Sequence, residues 1–300
     1  MYLLSPKITV VSKNFPQFSQ PKAEMFIPDG APLLKALHRT THLGIGAHQD
    51  DLEFMAFHGI ASCFQNNDLW FGGITCTNGS GSARTGPFAN YTDEEMREVR
   101  RREQHAAAFA GQYSFMAQLD HPSSHVKDPE NTSLRDDLIS LHLRMKPEVV
   151  YTHNPADKHD THIGVFMAVI EALRSLSPND RPRKVYGCEG WRDLDWLADE
   201  AKVVLDLTGH DSLAASLNGL FDSQIRGGKR YDQAVMGRRK ANATFFNSHS
   251  TDKVEYATYA MDLMPLIENP ELDIVEFTLE HVRQFQKNVR NKLRARLGLK

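Results

Sequence analysis

The chain has 300 residues, 24% of them charged and 41% hydrophobic, with a formal net charge of −3. That length suits one large domain or two small ones, and the apolar fraction excludes a disordered chain. No apolar run approaches the roughly 20 residues that span a bilayer. The near-neutral charge speaks against dedicated nucleic-acid binding. The start, MYLLSPKITVV, lacks a basic leader followed by a long apolar stretch and a cleavage site. Cys63, Cys76 and Cys188 are too few and too scattered for a disulfide framework or a thiolate metal cluster. The expectation is a soluble, cytoplasmic enzyme, and its 14 histidines hint at metal ligation or proton transfer.

Residues 1–40 read as an extension onto the main fold, broken by Pro6, Pro16, Pro21, Pro28 and Pro32. They pack on the sheet or mediate self-association into a homo-oligomer. Residues 41–300 read as one domain. Thr41–Ala47 is a short buried strand, Glu53–Gln65 a helix and Leu69–Thr75 a second strand. A loop rich in Gly and Ser, Asn78–Tyr91, follows. Thr92 with Glu95 forms a capping box that opens a helix to Ala110. Ser114–Leu119 is a third strand. Ser133–Met145 is a helix, with Leu134, Leu138, Leu141 and Met145 at helical spacing. Glu148–Thr152 is a fourth strand and His162–Leu176 a helix. Lys184–Cys188 and Lys202–Leu207 are further strands, and Ser212–Lys300 is mainly helical with a basic last helix. Strands alternating with helices predict an α/β fold: a Rossmann-like, mostly parallel sheet with helices on both faces and a C-terminal helical elaboration.

Two segments carry chemistry. His48-Gln49-Asp50-Asp51-Leu52-Glu53 follows the first strand, and His153 to His162 follows the fourth. Both therefore fall at carboxyl ends of strands, where a parallel sheet places its ligands. Adjacent acids or a single His-x-x-His are individually common on solvated turns; their coincidence at two strand ends carries the weight. His48, Asp51 and His162 together make a three-ligand set that suits zinc and leaves one position open. Iron, cobalt or nickel can use the same ligands. Asp50 is placed to act as general base. His159, three residues before His162, is placed to stabilise an oxyanion or to protonate a leaving amine.

The segment GAHQDDLEF resembles the first signature of the PIG-L/LmbE-like zinc-dependent N-deacetylases, A-H-P-D-D-E, and HNPADKHDTHIGV resembles their second, H-x-N-D-x-H-x-D-H. Arg100, Glu103, Ala106 and Ala107 look like the family's R-x-x-E-x-x-x-A helix. Asp222-Ser223-Gln224 looks like its S-Q element, and Gly227 to Asp232 like a subgroup motif. The likeness spans about residues 41–265. It implies a Rossmann-like fold and one Zn2+ ion on His48, Asp51 and His162. It also implies Asp50 as base, His159 as transition-state helper, and an N-acetylated amino sugar or glycoconjugate as substrate. Two departures stand out. Gln49 replaces the usual Pro. Thr161 replaces the Asp that orients the first histidine, leaving Asp157 or Asp160 to orient His159. Zinc hydrolysis of a non-sugar amide or ester is the alternative, and a non-catalytic ligand-binding member of the fold is a further one.

For the substrate, the loop Asn78–Pro87 should overhang the site. Arg84 in that loop suits hydroxyls or an anion, and Asn154 is a second binding candidate. Trp191 and Trp196 are candidates to stack on a sugar ring. Lys229 and Arg230 are candidates for an acidic group. Arg100 is expected to turn inward against Glu103.

Overall fold

The computed structural model describes residues 18–299; Pro6 and Pro16 lie outside them. The described chain opens with strand β1 (Glu24–Phe26), helix α1 (Leu33–His38) and strand β2 (His42–Gly46). Helices α2 (Asp51–Met55) and α3 (Phe57–Cys63) lead to β3 (Phe71–Thr77), α4 (Asp93–Ala110) and β4 (Phe115–His121). Next come α5 (Ser123–Lys127), α6 (Ser133–Met145), β5 (Val149–His153), α7 (Asp160–Ser175), β6 (Lys184–Cys188) and β7 (Lys202–Asp206). The last third holds α8 (Asp211–Asn218), α9 (Asp222–Ile225), α10 (Tyr231–Phe245), β8 (Ala257–Asp262), α11 (Met264–Glu268) and α12 (Ile274–Arg296).

The eight strands form one sheet in the order β1-β4-β3-β2-β5-β6-β8-β7. Its central five strands are parallel, with β1 antiparallel on β4 and with β8 antiparallel to both β6 and β7. This is the α/β architecture the alternation of strands and helices predicts. From β2 the chain first adds β3 and β4 on one side, then crosses to add β5 and β6 on the other. The order therefore reverses at the β2/β5 junction, where open parallel sheets leave a crevice for ligands. Strands β3 and β4 are buried along their whole length, as expected of strands covered on both faces. One apolar cluster, including Leu37, Leu138, Val165 and Ile170, packs on one side; Leu52, Phe57, Tyr113 and Leu217 belong to a second.

The elements add three details to the expected order. The single helix over Glu53–Gln65 is two helices that break at Ala56. The carbonyls of Glu53 and Phe54, which a continuous helix would bond to the amides four residues on, instead accept hydrogen bonds from the Arg239 guanidinium at 2.8 and 3.0 Å. The C-terminal part is mainly helical as expected, and it also supplies β8, which inserts between β6 and β7. β1 is also a strand within the proline-rich beginning, paired Glu24 to Gln118 and Phe26 to Met116. The capping box of α4 forms as expected: the Glu95 amide donates to the Thr92 hydroxyl, and the Glu95 carboxylate accepts from the Thr92 amide.

Candidate metal centre and active site

Strands β2 and β5 end side by side, and the two histidine-bearing segments meet where they end. The Ala47 amide donates to His153 Nε2 at 2.9 Å, stitching the two strand ends together. His48 then leaves β2 into a tight turn. Its amide donates to Asp51 Oδ2 at 2.7 Å. His162 sits in the first turn of α7 and reaches the same point from the other strand.

The structure brings His48, Asp51 and His162 together. His48 Nδ1 lies 3.3 Å from His162 Nε2 and 3.4 Å from Asp51 Oδ2, and Asp51 Oδ1 lies 3.5 Å from His162 Nε2. Metal–ligand bonds of about 2.0–2.1 Å at tetrahedral angles put neighbouring donors roughly 3.3 Å apart, so these separations fit one small divalent ion. His153, Asp157 and His162 form a second close group. It shares His162, and Asp157 does not line the cavity on which the first group opens. Asp157 Oδ1 lies 3.4 Å from His162 Nδ1, on the side of the ring away from the first group. That is the position of a carboxylate that holds a ligating histidine in orientation. Asp157 is itself fixed by the amides of His159 and Trp191, each at 3.0 Å. A Cβ at Gly190 would collide with its carboxylate, which accounts for glycine there.

The charges agree with this geometry. Burial opposes the Asp51 carboxylate, but His162, His153 and His48 outweigh it and hold the group well below the ordinary carboxylate range. Burial likewise works against a charged His162, and Asp51 with Asp157 reverses the balance and raises it. Burial pushes His48 down to about 4, keeping it a neutral donor.

Asp50 sits at the entrance to α2 with φ of 101°. A non-glycine residue in this left-handed region costs about 1–3 kcal/mol and persists only when its surroundings enforce it. Here the enforcement is visible. The Asp50 amide donates to Gln104 Oε1 at 3.2 Å, and the Arg100 guanidinium lies 3.3 Å from Asp50 Oδ2. Arg100 also donates to the Gln49 carbonyl and the Ser82 hydroxyl. Arg100 therefore turns inward against Asp50 rather than Glu103. Glu103 is taken by Ser223, whose amide and hydroxyl donate at 2.7 and 2.6 Å. Burial raises the Asp50 carboxyl well above its usual range, against the pull of Arg100.

His159 caps α7, its Nδ1 accepting the Thr161 amide proton at 3.2 Å. Neither Asp157 nor Asp160 is bonded to its ring; the backbone amide orients it. Accepting at Nδ1 places the proton of the neutral ring on Nε2. Burial, aided by His162, lowers the His159 pKa and favours that neutral form. The ring lies 4.9 Å from His48 and 4.7 Å from His162, centroid to centroid.

These groups line a cavity of about 600 Å³, within the range of small-molecule sites. The loop after β3 overhangs it through Gly79, Gly81, Ser82 and Ala83. Gly79 takes φ of +68°, and a Cβ there would strike the Gln49 side chain. Trp191, its ring centroid 6.4 Å from that of His159, and Tyr231 also line the cavity, their ring centroids 6.0 Å apart, and Lys229 sits 4.8 Å over the Trp191 ring. Other expected contacts go elsewhere. Arg84 is held by the Asp93 carboxylate and by the Tyr91 and Ser80 carbonyls, and it is not on the cavity wall. Asn154 is buried: its Nδ2 donates to the Cys188 carbonyl at 2.8 Å and its Oδ1 accepts the Ala156 amide, so it braces the loop after β5. Trp196 packs against the core, and Arg230 pairs with Asp232.

Sequence reasoning missed three participants. His153 reads in the sequence only as the start of its segment; in the structure it stacks on His162 at 3.9 Å. Glu189, on the cavity wall, accepts from Asn242, Thr258 and the Tyr259 amide at 2.7–3.1 Å. Arg239, fully buried and pushed down to about 9 by burial, also reaches the wall. His153 closes the apolar strand β5, which is the signal it offered; Glu189 lies just past β6 and Arg239 in the polar run of α10, where nothing local marks them.

Residues 43–173 match the family model described as PIG-L, GlcNAc-PI de-N-acetylase. No curated protein matches this chain significantly. Several solved structures share the fold. A conserved protein of Thermus thermophilus is 18% identical with a TM-score of 0.59, the match covering 77% of this chain and 98% of that one. The 4-carboxy-2-hydroxymuconate hydratase GalB of Pseudomonas putida is 20% identical with a TM-score of 0.58, covering 75% and 95%. The N,N'-diacetylchitobiose deacetylase of Pyrococcus horikoshii is 16% identical with a TM-score of 0.57, covering 77% and 86%.

Proposed function

Because residues 43–173 carry a PIG-L family domain, we propose that this chain is a metal-dependent N-deacetylase acting on an N-acetylated amino sugar or a related glycoconjugate. The observation that carries the reading is the convergence of His48, Asp51 and His162 within 3.3–3.5 Å of one another on a cavity wall, with Asp50 beside them. The mixed imidazole and carboxylate donors favour zinc among divalent ions. When bound, zinc supplies Lewis acidity toward an acyl carbonyl and a water that is acidic near neutral pH.

The remaining work falls to the chain's own groups. Asp50 takes the proton of the attacking water and returns it to the departing nitrogen; burial, which raises its carboxyl, makes it a stronger proton acceptor than an exposed aspartate. Arg100 opposes that rise and favours the ionised form that accepts the proton. His159 donates from Nε2 to the oxygen that gains charge, the role its neutral tautomer allows. Trp191 and Tyr231 offer an apolar face and a rim of polar groups to a sugar ring. The proposal places the enzyme in the cytoplasm.

Fold alone does not choose the reaction, since the hydratase from Pseudomonas putida shares it. The test is metal analysis together with acetate release from a panel of N-acetyl amino sugars, acyl amino acids and esters. Wild type should hold one zinc ion and release acetate from amino sugars, while Asp50→Ala should keep the metal and lose activity. Retention of full activity by Asp50→Ala would remove that residue from the mechanism. Turnover confined to non-sugar amides or esters would replace the substrate class.

A further inference from the structure

Helix α12 is 23 residues long and buries none of its side chains. It touches the body at its start, where Ile274 and Phe277 pack against the core. Every residue from Phe285 to Arg296 is exposed. Helices in proteins owe most of their stability to a packed apolar face, and a dozen residues standing alone in water form a marginal helix. Yet this stretch is not polar on all sides. Val275, Leu279, Val282, Val289 and Leu293 follow one another at spacings of four and three residues, with Gln286 filling the remaining place. All five are exposed, Val275 by 63% and Leu293 by 60%. The alternation of four and three is the repeat of a coiled-coil seam. It runs along a different side of the helix from Ile274 and Phe277.

Charge along the helix says what covers the seam. Asp273, Glu276 and Glu280 lie toward its start, while Lys287, Arg290, Lys292, Arg294 and Arg296 lie toward its end. We propose that α12 pairs with α12 of a second copy of this chain as an antiparallel two-stranded coiled coil. Crossing at Gln284 sets Val275 against Leu293 of the partner subunit and Leu279 against Val289 of the partner subunit. Val282 then meets Gln286 of the partner subunit. The same register runs Glu276, at the flank of the seam, alongside Arg290 of the partner subunit, and lays each acidic start along the basic end of the other helix. A parallel pair would stack the basic halves on each other. A membrane surface rich in anionic lipid would attract the basic half but repel Glu276 and Glu280. Only the antiparallel copy satisfies the seam and both charged halves. Arg283, which bonds Glu276 and Glu280 within the helix, does so in exposed pairs that are weak and exchangeable.

Sedimentation velocity and light scattering on the full chain test this. Wild type should reach twice the 33.9 kDa of the chain as concentration rises. Val282→Glu with Val289→Glu should remain monomeric, with the thermal unfolding of the body unchanged. Glu276→Lys, and separately Arg290→Glu, should each weaken self-association alone and form a heterodimer when mixed. A wild type that stays at the monomer mass overturns the proposal, as does a dimer that survives the seam variant. Failure of the two charge variants to pair on mixing refutes the antiparallel register. A monomer that co-sediments with phosphatidylserine vesicles assigns the seam to lipid instead.

Discussion

Arg100→Met would remove the cation that sits 3.3 Å from Asp50 in a region where both side chains are about 5% exposed. Two unit charges at that separation interact by roughly 5 kcal/mol at an effective dielectric of about 20. Water and mobile dipoles entering the vacated space recover part of this. The expected net effect is a further rise in the apparent pKa of Asp50. The direction follows from the buried carboxyl: burial raises it, Arg100 lowers it, and removing Arg100 leaves burial unopposed. Since the base acts deprotonated, the acidic limb of the kcat/KM profile moves to higher pH. Activity below that limb falls about 10- to 100-fold and recovers toward alkaline pH. Arg100→Lys should restore the charge but not the fork that also holds the Gln49 carbonyl and Ser82, giving an intermediate profile. The assay is acetate release against pH, with metal content measured in parallel. An acidic limb left in place in Arg100→Met, with metal content and fold intact, would refute the reasoning.

Two further outcomes follow from other contacts. Asp157→Asn, which weakens the acceptor facing His162 Nδ1, should lower metal affinity about 10- to 100-fold while leaving secondary structure unchanged; competition with a chelator measures it. His142 on α6 is 3% exposed, within reach of the Asp180 carbonyl at 3.1 Å, and burial pushes it down to about 4. Its folded pKa lies below the unfolded value, so the neutral ring contributes stability that is present above about pH 6.5 and lost as pH falls toward 4. The full window amounts to about 3 kcal/mol, and His142→Gln should flatten that part of the urea-unfolding profile against pH.

Much of the candidate site was legible in the chain because its chemistry is local. The His48–Asp51 turn, the His159–His162 turn and the capping box of α4 each depend on residues within three positions of one another, placed after a strand or before a helix. Alternation of strand and helix also predicts the parallel core, and a parallel core brings strand ends together at a reversal of order. What stayed hidden depends on partners distant in sequence. Glu103 answers to Ser223, 120 residues later, which frees Arg100 for Asp50. Arg239 reaches back 186 residues to end α2. Arg84 and Asn154 have the right chemistry for a ligand but are claimed by Asp93 and the Cys188 carbonyl.

The identity of the chemical groups and their arrival at two strand ends are written in short stretches of this sequence, since periodicity and turn-forming residues act over a few positions. Which carboxylate meets which cation, and where β8 slots between β6 and β7, emerges only on folding. Those choices are competitions among many polar groups for few buried partners, and the winner is decided by distance in space.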